Sequence, residues 1–388
     1  MNFDLSDSSD TTILALSWRD VKSPLAGGAE IFTHKMLSGA VRHGIRIIHF
    51  SPMFEGGSGQ EEIDGVIYLR QGGIVSVIWY AYLFYRKNHK KIDFVIDQCN
   101  THRFFTKFWV KKKKRVFLIF QLTREIWDYH LSFPWSWLGK RIENRMLKLS
   151  KRDLTITESQ STKNDLIRLG FHEDLITVIP IGVSQPGVGE IKDFSSKMPT
   201  PTFVYVGRYA RYKGIDNSIK AIAIVKIKYP SAKLWIVGKP DYLYLQKVLN
   251  PLCETLKLTI GTEDECDVVI KGFVPEAEKI RLQSLAHALV FPSVREGWGM
   301  IVSEAALVGT PSIVFNSPGC SDAVEFGNAG YLCAENSDEE LARLMTLTQT
   351  DPIQYEAMRK AAYEFSKQFS WDITAEEFVK LIKSLNHK

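Results

Sequence analysis

The stretch that decides the fold is SVREGWGMIVSEAALVGTP, residues 293–311, in which seven residues separate two glutamates, Glu296 and Glu304. The flanking segments HALVFPS (287–293) and SIVF (312–315) are short and apolar, as expected of buried strands. Between them, MIVSEAALV is rich in helix formers and is followed by a glycine and a proline, the usual stop signal of a helix. The predicted order is therefore strand, loop, helix, strand.

Each glutamate has a defined place in this pattern. Glu296 lies in the loop at the carboxyl end of the first strand, where open parallel sheets bind their ligands. Glu304 lies about one turn into the helix, close enough to face the same ligand.

The same alternation of strand and helix begins twice along the chain. TTILALSW, from residue 11, is an apolar strand followed by a glycine-rich turn, and PTFVYVGRYARYKG, from residue 201, repeats the plan. Short apolar strands separated by helical stretches predict parallel sheets with helices on both faces. Because 388 residues are too many for one ordinary core, we predict two Rossmann-like α/β domains.

The predicted boundaries follow composition. The first domain covers 1–185 and the second 202–360, joined by a Pro-, Gly- and Ser-rich linker at 186–201. The remaining residues, 361–388, form an amphipathic helical tail.

The composition is that of a soluble globular protein, with 45% hydrophobic and 24% charged residues. The longest apolar run, residues 74–85, is shorter than the ~18 residues that a membrane-spanning helix needs, so it is expected to be a core helix. The start of the chain is acidic and lacks the basic residues of a secretory signal. Five scattered cysteines without a CxxC pair predict a reducing cytoplasm rather than a zinc site or a disulfide framework.

Positive charge is concentrated in the first half of the chain. Residues 1–180 hold 26 basic and 19 acidic residues, whereas the remainder holds 23 and 25. The densest run is KKKKR (111–115), followed by a segment in which aromatic residues lie among further cations. The alternatives are a solvated loop with its tryptophans in a core or cleft, or peripheral contact with anionic lipid at the inner face of the membrane. The aromatic residues are Trp127, Phe133, Trp135 and Trp137.

Two glycine-rich turns are candidate phosphate sites. GRYARYKG places Arg208 and Lys213 between Gly207 and Gly214, after a strand and before a helix. Two cations near a helix amino terminus suit a diphosphate. LAGGAE (25–30) is a similar turn that could admit a phosphate. We predict no metal site, because the acidic run TEDECD fits an exposed turn better than a ligand cluster.

Taken together, these features resemble the retaining glycosyltransferases of family 4, which have two Rossmann-like domains facing each other across a cleft (the GT-B fold). The resemblance covers nearly the whole chain, in order, through GGAEIFTHKMLSGAVRHGIRI, TESQSTKNDLIRLGF, VIPIGV, VGRYARYKGID, LWIVG, IKGFV and FPSVREGWGMIVSEAALVGTPSIV. The last segment contains the family's E-x7-E signature. The tail segment FSWDITAEEFV is similar to the family's closing helix, which returns to the first domain.

The resemblance implies a role for each matched residue. Glu296 would contact hydroxyls of the transferred sugar and Glu304 the ribose of a nucleotide, while Arg208 and Lys213 would neutralise the diphosphate. Of these, Glu296, Arg208 and Lys213 would be catalytic, and no metal or cofactor is implied. The remaining donor-binding residues would be Gly27, Gly28, Gly207, Gly297, Trp298, Gly299, Met300 and Ile301.

One position departs from the family. Related sequences usually carry a histidine at the end of the strand RVFLIF, where this chain has Phe120. In the family, that histidine contacts the sugar or helps the acceptor. A retaining mechanism can use the leaving phosphate as the base, so its loss need not abolish activity.

The resemblance implies a cytoplasmic glycosyltransferase that moves a hexose-type sugar, with retention, from a UDP- or GDP-sugar to a glycan or lipid-linked acceptor. Phe120 motivates an alternative, a weakly active partner subunit of another glycosyltransferase. A nucleotide-sugar epimerase or a phosphorylase on the same fold is a further alternative. A nicotinamide dehydrogenase is disfavoured because there is no GxGxxG segment, and no nucleic-acid partner is expected.

Overall fold

The structure, a computed structural model, describes residues 11–100, 103–184 and 194–386. The acidic start of the chain and residues 186–193 of the predicted linker lie outside the described residues. Contacts divide the chain into two compact units. Unit 1 lies within Met1–Arg124, Pro134–Gly182 and Phe369–Lys388, and unit 2 within Glu125–Phe133 and Val183–Gln368.

Unit 1 is built on one sheet, which has eight strands among the described residues, in the order β3-β4-β2-β1-β5-β6-β7-β8. Its pairs are parallel except for the edge pair β3–β4. The central strands are apolar and buried, as required when helices cover both faces. The strands are β1 (Thr12–Leu16), β2 (Arg46–Ser51), β3 (Gln60–Ile63), β4 (Val66–Arg70), β5 (Phe94–Cys99), β6 (Arg115–Ile119), β7 (Leu154–Thr157) and β8 (Ile176–Val178).

Helices of the first half of the chain cover both faces of this sheet. The helices of unit 1 in this part of the chain are α1 (Gly28–Arg42), α2 (Val77–Asn88), α4 (Trp135–Leu147) and α5 (Gln160–Arg168), while α3 (Ile126–His130) clusters with unit 2. Val95 packs in a core with α2, and Cys99 packs in a core with Leu147 of α4. Because these two residues are four apart on one strand, α2 and α4 lie on the same face of the sheet. Of the apolar run at 74–85, residues 77–85 lie in α2, which buries one face (Val77, Ala81, Tyr85) in the core, whereas Trp79 and Leu83 are exposed, so the predicted core helix is confirmed for that face only.

The last helix of the chain belongs to unit 1. It covers Trp371–Asn386 and packs against α1, where the Trp371 ring lies 6.4 Å from that of Phe32. An added Cβ on Gly39 would lie 2.2 Å from the Cβ of Ala375, so only glycine permits this close approach. The predicted return of the closing helix to the first domain therefore agrees with the contacts in the structure.

Unit 2 contains a parallel sheet with seven strands among its described residues, in the order β11-β12-β10-β9-β13-β14-β15. The strands are β9 (Thr202–Val206), β10 (Lys233–Val237), β11 (Ile260–Gly261), β12 (Val268–Gly272), β13 (Ala288–Phe291), β14 (Ser312–Val314) and β15 (Tyr331–Leu332). The helices that follow α5 are α6 (Ile215–Lys228), α7 (Tyr242–Tyr244), α8 (Asn250–Thr255), α9 (Glu276–Leu285), α10 (Met300–Ala306), α11 (Cys320–Ala323), α12 (Asp338–Thr350), α13 (Pro352–Ser366) and α14 (Trp371–Asn386, in unit 1).

The strand order fixes where a ligand can bind in each unit. In unit 2 the order reverses at β9, which has β10 on one side and β13 on the other, and in unit 1 it reverses at β1, between β2 and β5. Loops at the carboxyl ends of the two strands at such a switch point diverge and leave a crevice. In unit 2 these are the loops after β9 and β13, which contain the predicted site residues.

A short segment between Arg124 and Pro134 does not follow the sequence-based division. Residues Glu125–Phe133, with α3, cluster with unit 2, although the chain on either side belongs to unit 1. Arg124, at the point of departure, has a left-handed backbone with φ of 38°. Such a conformation is costly for a residue with a side chain, so surrounding contacts must hold it.

Candidate active site

Lys213 and Glu296 form an ion pair at the switch point of unit 2. The Lys213 Nζ lies 2.5 Å from Glu296 Oε1, and only 12% and 11% of the two side chains are exposed. Burial acts to lower the pKa of Lys213, but Glu296 and Tyr212 more than offset it, so the pKa lies above its ordinary value. The ammonium is therefore charged at neutral pH.

The loop that carries Glu296 is anchored on several sides. Ser293 Oγ donates to Glu296 Oε1 at 2.5 Å, and the Glu296 amide donates to the Pro318 carbonyl at 3.0 Å. Gly319 has a left-handed backbone with φ of 80°, and an added Cβ would lie 2.3 Å from the Glu296 carbonyl oxygen. Only glycine permits this approach, so Gly319 is part of the support of Glu296.

The other predicted cation, Arg208, follows Gly207 directly after β9. Its guanidinium donates to the Tyr212 hydroxyl at 3.3 Å. Gly214 ends the turn with φ of 75° and lies so close to the Pro292 carbonyl that a Cβ would be 2.4 Å from its oxygen. The glycine thus lets the turn carrying Arg208 and Lys213 pack against the end of β13, as the predicted phosphate site requires.

Glu304 lies within α10 and pairs with a lysine from a neighbouring helix. Lys279 Nζ, on α9, lies 2.8 Å from Glu304 Oε2 and 2.8 Å from Glu276 Oε1. Burial raises the pKa of Glu304, although Lys279 acts in the opposite direction. The lysine fixes the orientation of the carboxylate, and sequence reasoning missed this contact.

The residues from Gly297 to Ile301 form the turn into α10. Gly299 precedes the helix in a left-handed conformation, with φ of 89°. The side chain of Trp298 is buried, and its Nε1 donates to Ser303 Oγ at 2.9 Å. The indole thus packs within unit 2 and fixes the turn, and it is the backbone of this turn that can meet a ligand.

Gly27 and Gly28, predicted to approach a phosphate, lie in unit 1 at the start of α1. The Gly27 amide donates to Glu30 Oε2 at 2.7 Å, and Glu30 Oε1 accepts from Arg19 Nε at 3.1 Å. The carboxylate of Glu30 therefore fixes the turn from within the helix. Both glycines lie at the start of α1, which follows β1 at the switch point of unit 1.

Phe120 occupies the position at which the family usually has a histidine. Its side chain is 4% exposed, and its ring packs edge-on against Phe32 of α1, with the centroids 5.4 Å apart. Its carbonyl accepts from Thr162 Oγ1 at 2.9 Å. Phe120 is thus a core residue of unit 1, and the chemical group of a histidine is missing at this position.

Arg295, next to Glu296, is a contact that sequence reasoning missed. Its Nε donates to Glu125 Oε2 at 2.6 Å, and its side chain is 5% exposed. Glu125 begins the segment that clusters with unit 2. Because 170 residues separate the two partners, no local pattern in the sequence marks this pair.

Metal-binding clusters and membrane-spanning helices are both absent from the described residues. Within residues 11–100, 103–184 and 194–386, no group of three or more His, Cys, Asp or Glu side chains is arranged to hold a metal ion. No helix in these ranges is both long and apolar enough to cross a membrane.

Comparison with known families matches the two halves of the chain separately. Residues 26–185 match Glycosyltransferase Family 4, and residues 190–365 match Glycosyl transferases group 1. An uncharacterized glycosyltransferase of Haemophilus influenzae is 26% identical over 260 residues, which are 65% of this chain and 67% of that protein. The chain spans about half the length of the next curated relatives, 42% and 52%.

Solved structures share the architecture over almost the whole chain. Sucrose-phosphate synthase from Thermosynechococcus elongatus has a TM-score of 0.74 at 16% identity, with 97% of this chain and 99% of that chain covered. Anabaena HepE in complex with UDP-glucose has a TM-score of 0.68 at 16% identity, with 96% and 99% covered. These likenesses confirm the predicted fold, two α/β units with parallel sheets.

Proposed function

Since the chain belongs to the GT-B glycosyltransferases of family 4, we propose that it transfers a hexose-type sugar, with retention, from a UDP- or GDP-sugar to a glycan or lipid-linked acceptor. The observation that carries the proposal is the grouping of Arg208, Lys213 and Glu296 at the switch point of unit 2. Anabaena HepE, with the same fold, was solved with UDP-glucose, which supports a nucleotide-sugar donor.

The proposed role of the two cations is to bind and stabilise the diphosphate. Its negative charge grows as the sugar leaves, so fixed positive groups stabilise the transition state more than the ground state. In the structure, Lys213 is paired with Glu296. On binding, the phosphate would compete with Glu296 for the ammonium and leave the carboxylate to accept from sugar hydroxyls.

The two glutamates would hold the two sugars of the donor. Glu296, with Oε1 already oriented by Ser293, would accept from hydroxyls of the transferred hexose. Glu304, oriented by Lys279, would accept from the ribose. Backbone amides of Gly297–Met300 would face the sugar and phosphate, while Gly207 would allow close approach of the donor. Gly27 and Gly28, at the start of α1 in unit 1, would allow close approach of a phosphate.

We propose that the reaction proceeds without a metal ion, because Arg208 and Lys213 can supply the positive charge that a metal gives to a diphosphate in other enzymes. Addition of EDTA should then leave the rate of transfer unchanged. Activity that disappears with EDTA and returns with Mg²⁺ or Mn²⁺ would contradict this proposal.

The alternative of a weakly active partner subunit rests on Phe120. Because its ring is part of the core of unit 1, it cannot contribute a proton-transfer group. We favour an active enzyme, because the leaving phosphate can act as the base and the grouping in unit 2 is intact. A nucleotide-sugar epimerase or a phosphorylase has less support, since the E-x7-E pattern with Arg208 and Lys213 is that of the transferases.

We further propose that the protein is cytoplasmic and contacts the inner face of a membrane through α4. This helix has an inverted pattern of exposure: Trp135 is 61% exposed and Trp137 48%, whereas the polar Ser136 and Glu143 are buried. Leu138 and Ile142 are also exposed. Aromatic and aliphatic side chains on an outer helix face suit the headgroup boundary of a bilayer.

Cations accompany this apolar face. The Arg141 guanidinium lies 4.2 Å from the centre of the Trp137 ring, and both Arg145 on the same helix and Lys148 directly after it are exposed. In the KKKKR run, Lys111–Lys113 are exposed, but Lys114 folds inward and donates to the carbonyls of His89 and Ile92. Only part of that run is therefore available to anionic lipid.

The proposed function can be tested in two steps. The purified protein is first screened against UDP- and GDP-sugars by thermal shift, since a ligand at 100 times its Kd stabilises the folded state by about 2.7 kcal/mol. Donors that bind are then incubated with lipid and glycan acceptors, and the anomeric configuration of the product is determined by NMR. Donor binding without transfer to any acceptor would favour the partner-subunit alternative.

A further inference from the structure

The contact between Glu125 and Arg295 links a segment from the first half of the chain to the candidate active site. Arg295 is buried and directly precedes Glu296, and its Nε donates to Glu125 Oε2 at 2.6 Å. Glu125 itself is about half exposed. The contact thus fixes the side chain next to the predicted catalytic carboxylate.

The same segment also touches the turn that carries the cations. The His130 ring packs edge-on against Tyr212, with centroids 6.1 Å apart, and Tyr212 lies between Arg211 and Lys213. The carbonyl of Tyr212 in turn accepts from the Val294 amide at 2.9 Å. Glu125 and His130 therefore belong to one short segment, the brace (residues Glu125–Phe133), which contacts both loops of the site.

The brace leaves unit 1 in a fixed conformation. The amides of Thr123 and Arg124 both donate to the Glu143 carboxylate, at 2.5 and 3.1 Å. These two bonds hold Arg124 in its left-handed conformation, with φ of 38°. A buried carboxylate of α4 therefore fixes the backbone conformation of Arg124, the residue directly before the brace.

We propose that Glu125 and Arg295 are positioning residues, which hold the loop of Glu296 in the geometry that the reaction needs. This inference rests on the proposed function, because it assigns the pair to the same site. Displacement of a reacting group by about 1 Å can reduce a rate on the order of 100-fold. Glu125 is 53% exposed, and glutamine at this position keeps an oxygen that can accept from the buried Arg295, so loss of the charge alone should cost the fold little. The pair should therefore affect turnover much more than stability.

The test is a double-mutant cycle with Glu125→Gln, Arg295→Met and the double variant, each assayed for kcat, donor KM and thermal unfolding. Glu125→Gln should lower kcat about tenfold, with donor KM changed less than twofold and the unfolding temperature close to wild type. The double variant should be no slower than Arg295→Met, because the two residues act as a unit. Glu254→Gln, the same change at an exposed position of unit 2, serves as the control.

The outcomes separate this inference from the proposed function. Wild-type kcat in Glu125→Gln, or multiplying losses in the double variant, would overturn the inference while leaving the function intact. A large rise in donor KM for Arg295→Met with normal turnover in Glu125→Gln would instead make Arg295 a donor ligand. If the wild-type protein transfers no sugar, the proposed function fails, and the positioning role that rests on it fails with it; the wild-type assay thus distinguishes this outcome from a failure of the inference alone.

Discussion

Lys213 and Glu296, 83 residues apart in the chain, are joined by an ion pair of 2.5 Å at the point where the strand order of unit 2 reverses. The pair brings together the two functions proposed for the site, neutralising a phosphate and accepting from a sugar. Each residue is also the other's counter-ion in the absence of a ligand. In the proposed function, a donor would therefore replace this interaction on binding.

Glu296→Gln should lower the rate of transfer by about 100-fold or more, because the neutral amide loses the charged acceptor for the sugar hydroxyls. Lys213→Ala should instead weaken donor binding, since the diphosphate loses one of two cations. Both effects are measured by steady-state kinetics, with circular dichroism to show that the variants are folded. Lys228→Ala, an exposed lysine of α6, is the matched control. Wild-type turnover in Glu296→Gln would remove Glu296 from the site.

Glu304→Gln should raise the free energy of unfolding at pH 7. Because burial raises the pKa of Glu304, the folded protein binds this proton more tightly than the unfolded chain, in which glutamate titrates near 4.3. The cost of the buried carboxylate is therefore fully present above the folded pKa and absent below about pH 4.3. Lys279 keeps Glu276 as a partner in the variant.

This advantage should disappear as the pH falls through that window, since the protonated wild-type side chain then resembles the amide. Urea unfolding of both proteins at pH 7 and near pH 4.3 measures the difference. Glu339→Gln, at an exposed position, controls for the loss of one charge. A variant less stable than wild type at pH 7 would show that the Lys279 pair outweighs burial.

Gly319→Ala should reduce both stability and activity. The substitution imposes a left-handed conformation on alanine, which costs about 1 kcal/mol, and it also forces a Cβ against the carbonyl of Glu296. Gly272→Ala is the matched control, because Gly272 has φ of 69° and nothing lies within 4 Å of its added Cβ. We expect the control to show only the backbone cost and to keep its activity. Equal behaviour of the two variants would exclude a role of Gly319 in supporting Glu296.

Replacement of Trp135 and Trp137 by alanine should weaken binding to anionic vesicles about tenfold, with little effect on folding, since both side chains are largely exposed. Lys111–Lys113→Gln should weaken binding further at low salt only, because these charges are screened. Binding is measured by co-sedimentation with neutral and anionic vesicles. Ile353→Ala, 86% exposed in unit 2, is the control. Equal recovery in the supernatant with both vesicle types would reject the membrane proposal.

Local patterns in the sequence predicted much of this structure. The strand at β13, the helix that carries Glu304 and the two glycine-rich turns follow from apolar periodicity and from backbone requirements that are local. Lys213 and Glu296 were assigned to one donor only by the resemblance to family 4, and the rule that parallel strands expose their carboxyl ends at one edge explains why the two loops meet.

Contacts that depend on distant partners could not be predicted in this way. The sequence around Glu125 did not mark it as a site residue, because its proposed positioning role depends on a hydrogen bond to Arg295, 170 residues away. The inward packing of the Trp298 indole on Ser303 was not visible in the sequence either, and the predicted donor contact of this residue through its backbone stays a prediction. The exposure of the apolar face of α4 could not be predicted either. An amphipathic pattern defines two faces of a helix, but it does not show which of them packs on a core.

The place of α14 determines the order in which the protein can complete its folding during synthesis. Phe378 and Ile382 are fully buried in α14, and this helix packs on α1 in unit 1. Most of unit 1 therefore precedes most of unit 2 in the chain, but unit 1 lacks part of its core until α14 has left the ribosome. Unit 2, whose residues end at Gln368, has its complete sequence earlier. The second unit made is thus the first that can finish folding, and loss of the last twenty residues would damage the first.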